Sequence, residues 1–293
     1  MIVETHALTK RYGDQAAVDG VDLQVEVGSV YGLVGPNGSG KTTTLSMLAG
    51  LRRPSGGSFE IGVARDKLAL LPDTPQFDPW LTGTEVVELA RSLVAPEIPA
   101  ARVREVLAEA GLAEATERRV GGYSRGMLQR LGVASTLVGD PEVLLLDEPC
   151  SALDPMGRRE VLDLIAGQRG QRTAIFSSHI LADVQEICDT VGVMRKGRLI
   201  YQGPLHELLT GAAMPAYLVR LRGTDGGVAE QLRAEPWVTG VESTADGELR
   251  VEVESIESAE RELVGALARA EAQVVSLRPE EASLERAFLE LTR

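Results

Sequence analysis

The stretch "GPNGSGKT", Gly35 to Thr42, stands between the apolar run "VYGLV" and "KTTTLSMLAG", a segment of helical spacing that stops at a glycine. This order constrains the fold more than any other feature of the chain. It fits G-x-x-x-x-G-K-[ST], in which glycines let the backbone curl until successive N–H groups face one phosphate group. Gly35, Pro36, Asn37, Gly38, Ser39 and Gly40 then form the cradle. Lys41 adds a positive charge between β- and γ-phosphates, the Thr42 hydroxyl is offered to Mg2+, and Thr43 follows in the first helical turn. A strand, loop and helix joined in this way belong to an α/β sheet.

A second run, "EVLLLDEP", reads as a strand buried on both faces, as in a parallel sheet. It ends in Asp147 and Glu148, at the place where open α/β sheets carry the groups that serve a ligand. An acid after four apolar residues suits a metal-binding aspartate, and Glu148 is placed to polarise a water for attack on a γ-phosphate. "TAIFSSH" is a further core strand, ending at His179. A lone histidine is more often structural, but the position at a strand end makes this one a site candidate. "YSRGMLQR", Tyr123 to Arg130, opens a helix with a small hydroxyl residue and a glycine. Ser124 and Gly126 suit a helix N-terminus where anions bind, so one chain carries two anion sites far apart in sequence.

Around these motifs the pattern is α/β. "IVETHALTKRY", "AVDGVDLQVEVG" and "SVYGLVG" read as strands with tight turns. From about Leu81 to Gly139 the spacing is helical, most clearly in "TEVVELARSLV" and "ARVREVLAEAGL". "VGVMRKGRLIYQG" reads as a hairpin turned at Lys196 and Gly197. Small residues and a proline in "TGAAMPA" mark a boundary. The tail beyond it mixes strands ("YLVRLRG", "LRVEVE", "VVSLR") with helices ("GVAEQLRAE", "ESAERELVGALARAEA", "SLERAFLELT"). We therefore expect one domain over 1–213, with a helical subdomain at about 74–139, and a small α+β domain over 214–293.

Composition excludes some partners. The net charge is −13, and from Pro215 onward sixteen Asp/Glu face nine Lys/Arg; nucleic-acid binding usually leaves a basic footprint, so none is expected. The two cysteines, Cys150 and Cys188, lack metal-type spacing and read as reduced thiols of a cytosolic protein. The N-terminal "MIVETHALTKRYGD" has no signal-peptide pattern, and no run of about eighteen apolar residues spans a bilayer. A soluble protein is expected, with any membrane role coming through a partner.

With these motifs in this order, the chain resembles the ATP-binding subunit of an ABC transporter, over nearly its whole length. The resemblance implies a P-loop NTPase fold of the ABC ATPase type: a mixed β core, antiparallel N-terminal strands and a helical subdomain, followed by the small α+β domain. It assigns Tyr12 to stacking on adenine, Gly35 to Thr42 to the Walker A loop, Asp147 and Glu148 to the Walker B pair, and Ser151 and Asp154 in "SALD" to the D-loop. His179 matches the switch histidine that contacts γ-phosphate. "YSRGM" matches the signature loop, usually close to LSGGQ, with Tyr123, Arg125 and Met127 departing from it. Such variants resemble the drug- and lipid-exporter subgroup that works with ABC-2-type permeases, and many of those carry an accessory C-terminal domain. The glutamine that usually senses Mg2+ and the membrane partner is replaced by Asp73, with Gln76 as a nearby alternative.

The resemblance further implies ATP and Mg2+ as ligands, and a pair of subunits closing head to tail. Ser124, Arg125, Gly126 and Met127 of one chain would meet ATP held by the other, and Asp73 would join Thr42 and Asp147 around the metal. A homodimer is expected, driving a separately encoded permease from the cytoplasmic face, with export as the direction. The competing class is a soluble ABC-type ATPase uncoupled from transport. The coiled coil of chromosome-acting relatives and the second ATPase domain of ribosome-acting ones are both lacking here. A pure ATP-gated dimerisation switch conflicts with an intact Glu148.

Overall fold

The computed structural model describes residues 1–151, 153–211, 215–223, 227–244, 247–280 and 284–291. These fall into two compact units, Met1–Glu207 and Leu208–Arg293. The boundary expected at 213/214 lies on residues outside the described ones.

The first unit opens with antiparallel strands β1 (Val3–Tyr12), β2 (Gln15–Val21) and β3 (Gln24–Val25), followed by β4 (Val30–Val34), α1 (Lys41–Leu48), β5 (Gly56–Ile61) and β6 (Leu68–Leu71). Next come the helices α2 (Gly83–Val94), α3 (Ala101–Glu109) and α4 (Arg125–Leu137), in the stretch where 3.6-residue periodicity predicts them. Thr82 and Glu85 cap α2 reciprocally, each side chain accepting from the other's backbone N–H, a box whose cap is worth about 1 kcal/mol. The unit continues through β7 (Val143–Leu146), α5 (Pro155–Ala166), β8 (Thr173–Ser178), α6 (Leu181–Ile187), β9 (Thr190–Arg195) and β10 (Arg198–Pro204); α7 (Leu205–Gly211) spans the division between the units.

Two sheets organise this unit. In one, β2 and β3 flank β1, which also pairs with β5, all antiparallel. The other has the order β10-β9-β4-β8-β7-β6, parallel except for β10. Every residue of β4, β7 and β8 is buried, which is why these strands read as continuous apolar runs rather than alternating ones. Each large side chain taken wholly from water, such as Leu33 or Phe176, contributes about 1.5–3 kcal/mol. The hairpin between β9 and β10 turns on Lys196 (φ 49°) and Gly197 (φ 82°); two left-handed residues make the type I′ turn that matches strand twist.

The second unit holds β11 (Ala216–Leu221), α8 (Val228–Arg233), β12 (Val238–Ser243), β13 (Glu248–Val253), α9 (Ile256–Arg269), β14 (Val274–Pro279) and α10 (Leu284–Leu291). The four strands form one antiparallel sheet, β12-β13-β11-β14. Period-2 alternation divides β13: Leu249, Val251 and Val253 join a core with Leu232 of α8 and Leu263 of α9; on the other face Glu248 pairs with Arg220 and Arg278, Arg250 with Glu252 and Glu280, and Glu252 also with Arg286. The α+β character matches the expectation for this tail. Strand β12 is an addition to it: "VTGVES" is short, polar in half its positions and interrupted by a glycine.

Candidate nucleotide site

Sheet order and register assemble the site. β4, β8 and β7 are neighbours, with Val34 paired to Ser178 and Leu146 to Phe176. The three segments leaving their C-terminal ends therefore emerge side by side: the loop from Gly35, the pair Asp147–Glu148, and His179. This is the edge of an open α/β sheet at which ligands bind.

The loop after β4 is shaped by its glycines. At Gly40 φ is 109°, and a Cβ would lie 2.5 Å from the Ala17 carbonyl oxygen, so only glycine fits. Gly40 also begins α1 without any side-chain cap, which leaves the helix N–H groups and their partial positive charge for an anion. Lys41 is buried at the start of α1. Its ammonium donates to the carbonyls of Gly35 (2.7 Å) and Pro36 (3.4 Å) and pairs with Glu148 Oε1 at 3.2 Å.

The carboxylates after β7 are held differently from one another. Asp147 Oδ1 accepts from the Ser177 hydroxyl (2.6 Å) and the Thr42 hydroxyl (3.1 Å). Burial pushes its carboxyl above the usual aspartate range; the bonds from Ser177 and Thr42 pull it back, and the charges of Glu148 and Asp73 push it up again. Glu148 has φ 46°, a left-handed conformation that costs a non-glycine residue about 1–3 kcal/mol and is found at functional sites. Its second oxygen, Oε2, lies 2.8 Å from His179 Nδ1.

A cavity of about 700 Å3 opens here, lined by Tyr12, residues 15–17, residues 37–43, Asp73, Glu148 and Lys196. Tyr12 is an exposed ring on its wall, with the cations of Lys10 and Arg52 at 5.4 and 5.7 Å from its centroid. Asp73 lines the cavity and accepts from the Ser151 hydroxyl at 2.6 Å. Gln76 is exposed and lines no part of it, so between the two candidates geometry favours Asp73. Gly35 and Pro36 act from behind, through Lys41, and His179 through Glu148.

The remaining predicted residues lie elsewhere. Ser124 caps α4, accepting from the Met127 N–H at 3.2 Å, and Asp154 caps α5, accepting from the Gly157 N–H at 2.9 Å. Ser124, Arg125, Gly126 and Met127 line a cavity of about 420 Å3 together with Arg130, Leu153, Asp154, Met156, Gly157 and Glu160. Among the described residues none lines both cavities. The residues of the candidate nucleotide site beyond those expected from sequence are Gln15, Ala16, Ala17, Lys196 and Ser177. Lys196 lies in the β9–β10 turn and Gln15 opens β2, places whose local sequence gives no hint of a ligand. Ser177 is one of three hydroxyl residues in β8, with Thr173 and Ser178, so no local pattern singles it out.

The donors suit the expected metal. Thr42 and Asp147 present only oxygen, the ligand type of Mg2+, which takes one or two protein oxygens and fills its shell with water and phosphate. Among the described residues no helix is long and apolar enough to cross a membrane.

Comparison with known proteins points to one family. The ABC transporter family matches residues 18–151. The uncharacterized ABC transporter ATP-binding protein YxlF of Bacillus subtilis is 40% identical over 213 residues, covering 71% of this chain and 72% of that protein. The daunorubicin/doxorubicin resistance ATP-binding protein DrrA of Streptomyces peucetius is 33% identical over 304 residues, covering 99% of this chain and 92% of that one. A solved ATP-binding subunit of an ABC transporter superposes with a TM-score of 0.64 at 26% identity, over 72% of this chain and 93% of its own. Likeness to DrrA runs through both units, so it is not confined to the phosphate loop that many ATPases share: the chain belongs to the ATP-binding subunits of ABC transporters, ATPases that power a membrane permease made by another chain.

Proposed function

We propose that two copies of this chain close head to tail around two MgATP and drive an exporting permease from the cytoplasmic face of the membrane. The observation that carries this reading is the separation of the two cavities. The phosphate loop and the signature loop of one chain share no wall, so a site with both needs a second molecule. The resistance name of the Streptomyces relative supports export.

Within that reading each side chain has a task. The α1 N-terminus and Lys41 receive the phosphates, and Tyr12 receives the adenine. Thr42 and Asp147 would hold Mg2+, with Asp73 beside them, and the ion would supply positive charge to offset that of the phosphates. Glu148 is the general base for the attacking water. At present both its oxygens are engaged, Oε1 by Lys41 and Oε2 by His179. Drawing Lys41 onto the phosphates frees Oε1 for water, while His179 keeps the carboxylate oriented. From the partner, Ser124 and Gly126 bring a second helix N-terminus to the γ-phosphate, and Arg125 adds a cation. Hydrolysis removes the group that bridges the two chains, so the dimer opens: a γ-phosphate-gated switch. Trp80, Leu89 and Leu93, exposed on and before α2, offer an apolar surface through which closure can pull on the permease.

Replacing Glu148 by glutamine tests this directly. Hydrolysis falls about 10^2–10^4-fold, as when a general base is removed. ATP binding persists, and an ATP-dependent dimer accumulates on size exclusion. A Glu148→Gln chain that stays monomeric with ATP and hydrolyses it normally would remove Glu148 from the base's role.

A further inference from the structure

We infer that Ser177 is a positioning residue for hydrolysis, setting both the metal carboxylate and the general base through one hydroxyl. The inference rests on the roles proposed above for Asp147 and Glu148.

Ser177 lies one residue before the end of β8 and has no solvent exposure. The parallel register that pairs Leu146 with Phe176 sets Ser177 level with Asp147 on the neighbouring strand. Two hydrogen bonds meet at its oxygen. The Glu148 N–H donates to Ser177 Oγ at 2.8 Å, and the Ser177 hydroxyl donates to Asp147 Oδ1 at 2.6 Å. Neither role can be reversed: the backbone N–H can only donate, and the ionised carboxylate can only accept.

Each bond fixes something the reaction needs. The first holds the backbone of Glu148 in its left-handed turn (φ 46°), the conformation from which the side chain reaches Lys41 and His179. The second holds Asp147 by Oδ1. The Thr42 bond ends on the same oxygen, so Oδ2 accepts neither bond and is left for a cation. His179 stands two residues further along the same chain and touches Glu148 Oε2. One strand end thus supports the base from two directions. All six residues of β8 are buried, and an apolar side chain would satisfy packing there. The hydroxyl is accounted for by the two residues it joins.

Groups that orient metal ligands in this way typically change metal affinity or activity about 10–100-fold when removed. The nucleotide contacts of Lys41 and α1 do not involve Ser177, so the loss falls on kcat and on the metal. The test uses the full chain with Ser177→Ala, Ser177→Thr and Asp147→Asn. Thermal melting confirms folding, ATP titration separates kcat from KM, and electron paramagnetic resonance of Mn2+ with ADP reads metal binding without turnover. For Ser177→Ala we expect kcat to fall and the Mn2+ dissociation constant to rise, each about tenfold or more. KM for ATP stays within about twofold, since uniform binding is untouched. Ser177→Thr, which keeps the hydroxyl, recovers most of both losses. Should Ser177→Ala not fold, Ser177→Cys, with a weak donor of similar size, is held to the same expectations.

Wild-type Mn2+ affinity and kcat in Ser177→Ala would overturn the inference. So would a fall in kcat with unchanged Mn2+ affinity and no recovery by threonine, the mark of a structural role alone. Asp147→Asn separates the two levels: if it binds Mn2+ as the wild type does, the metal site itself is misassigned, whatever Ser177 does.

Discussion

The two proposed half-sites of this chain differ at their loops. Around the phosphate loop, charged groups are matched within the chain: Lys41 with Glu148, Glu148 with His179, Asp147 with Ser177 and Thr42. Around the signature loop, Ser124 merely caps its own helix, and Arg125 sits exposed at a helix N-terminus, where a cation opposes the helix dipole. The glycines differ in the same sense. A Cβ at Gly40 collides with Ala17 at 2.5 Å, whereas a Cβ at Gly126 meets nothing nearer than Gly157 Cα at 3.8 Å. The chain's own packing demands the first glycine and not the second. A cation and a glycine that the chain does not need for itself make sense against an anion brought by another molecule.

Three substitutions sharpen this contrast. The largest effect belongs to Lys41→Ala, which removes the charge at the phosphates; hydrolysis falls by about 10^2–10^3-fold or more, as when a key electrostatic contact to the transition state is lost. ATP titration should also show binding lost from the isolated chain. Gly40→Ala comes next, because strain and a backbone clash destabilise by about 1–3 kcal/mol, read as a lower melting temperature and weaker nucleotide binding. Gly126→Ala is the smallest in the single chain: melting changes by under about 0.5 kcal/mol and ATP still binds, yet hydrolysis drops because a methyl group stands where the partner's phosphate must approach. A Gly126→Ala chain that loses stability as Gly40→Ala does would erase the contrast.

How much of this could be read without coordinates follows from local physics. "VYGLV", "EVLLLDEP" and "TAIFSSH" were legible because strands buried on both faces leave unbroken apolar runs, and the residues after them fall at the ligand edge of the sheet. Lys196–Gly197 was legible as a turn because few residues accept two left-handed conformations in a row. Strands β5, β6 and β12 carry no such signal: "GGSFEI" opens on two glycines, "LALL" is only four residues long, and "VTGVES" breaks its alternation at Gly240. The pairing of Lys41 with Glu148, and the clamp of Ser177 on Asp147 and Glu148, depend on which strands are neighbours and in which register. No local pattern encodes that. Nor did the motif alone decide between Asp73 and Gln76; only the fold places the carboxylate in the cavity and leaves the amide outside.

The central claim is that each ATP is held by the phosphate loop of one chain and the signature loop of the other. Mixed dimers carrying Ser124→Arg and Lys41→Ala test it most directly. With the lesions on different chains both fall in one shared site, and the other site should keep hydrolysing, at about half the wild-type rate if the two sites act independently. With both lesions on one chain and a wild-type partner, each site is damaged and hydrolysis should vanish. The reverse pattern, activity with both lesions on one chain and none with them separated, would show that each chain completes its own site and would contradict the account.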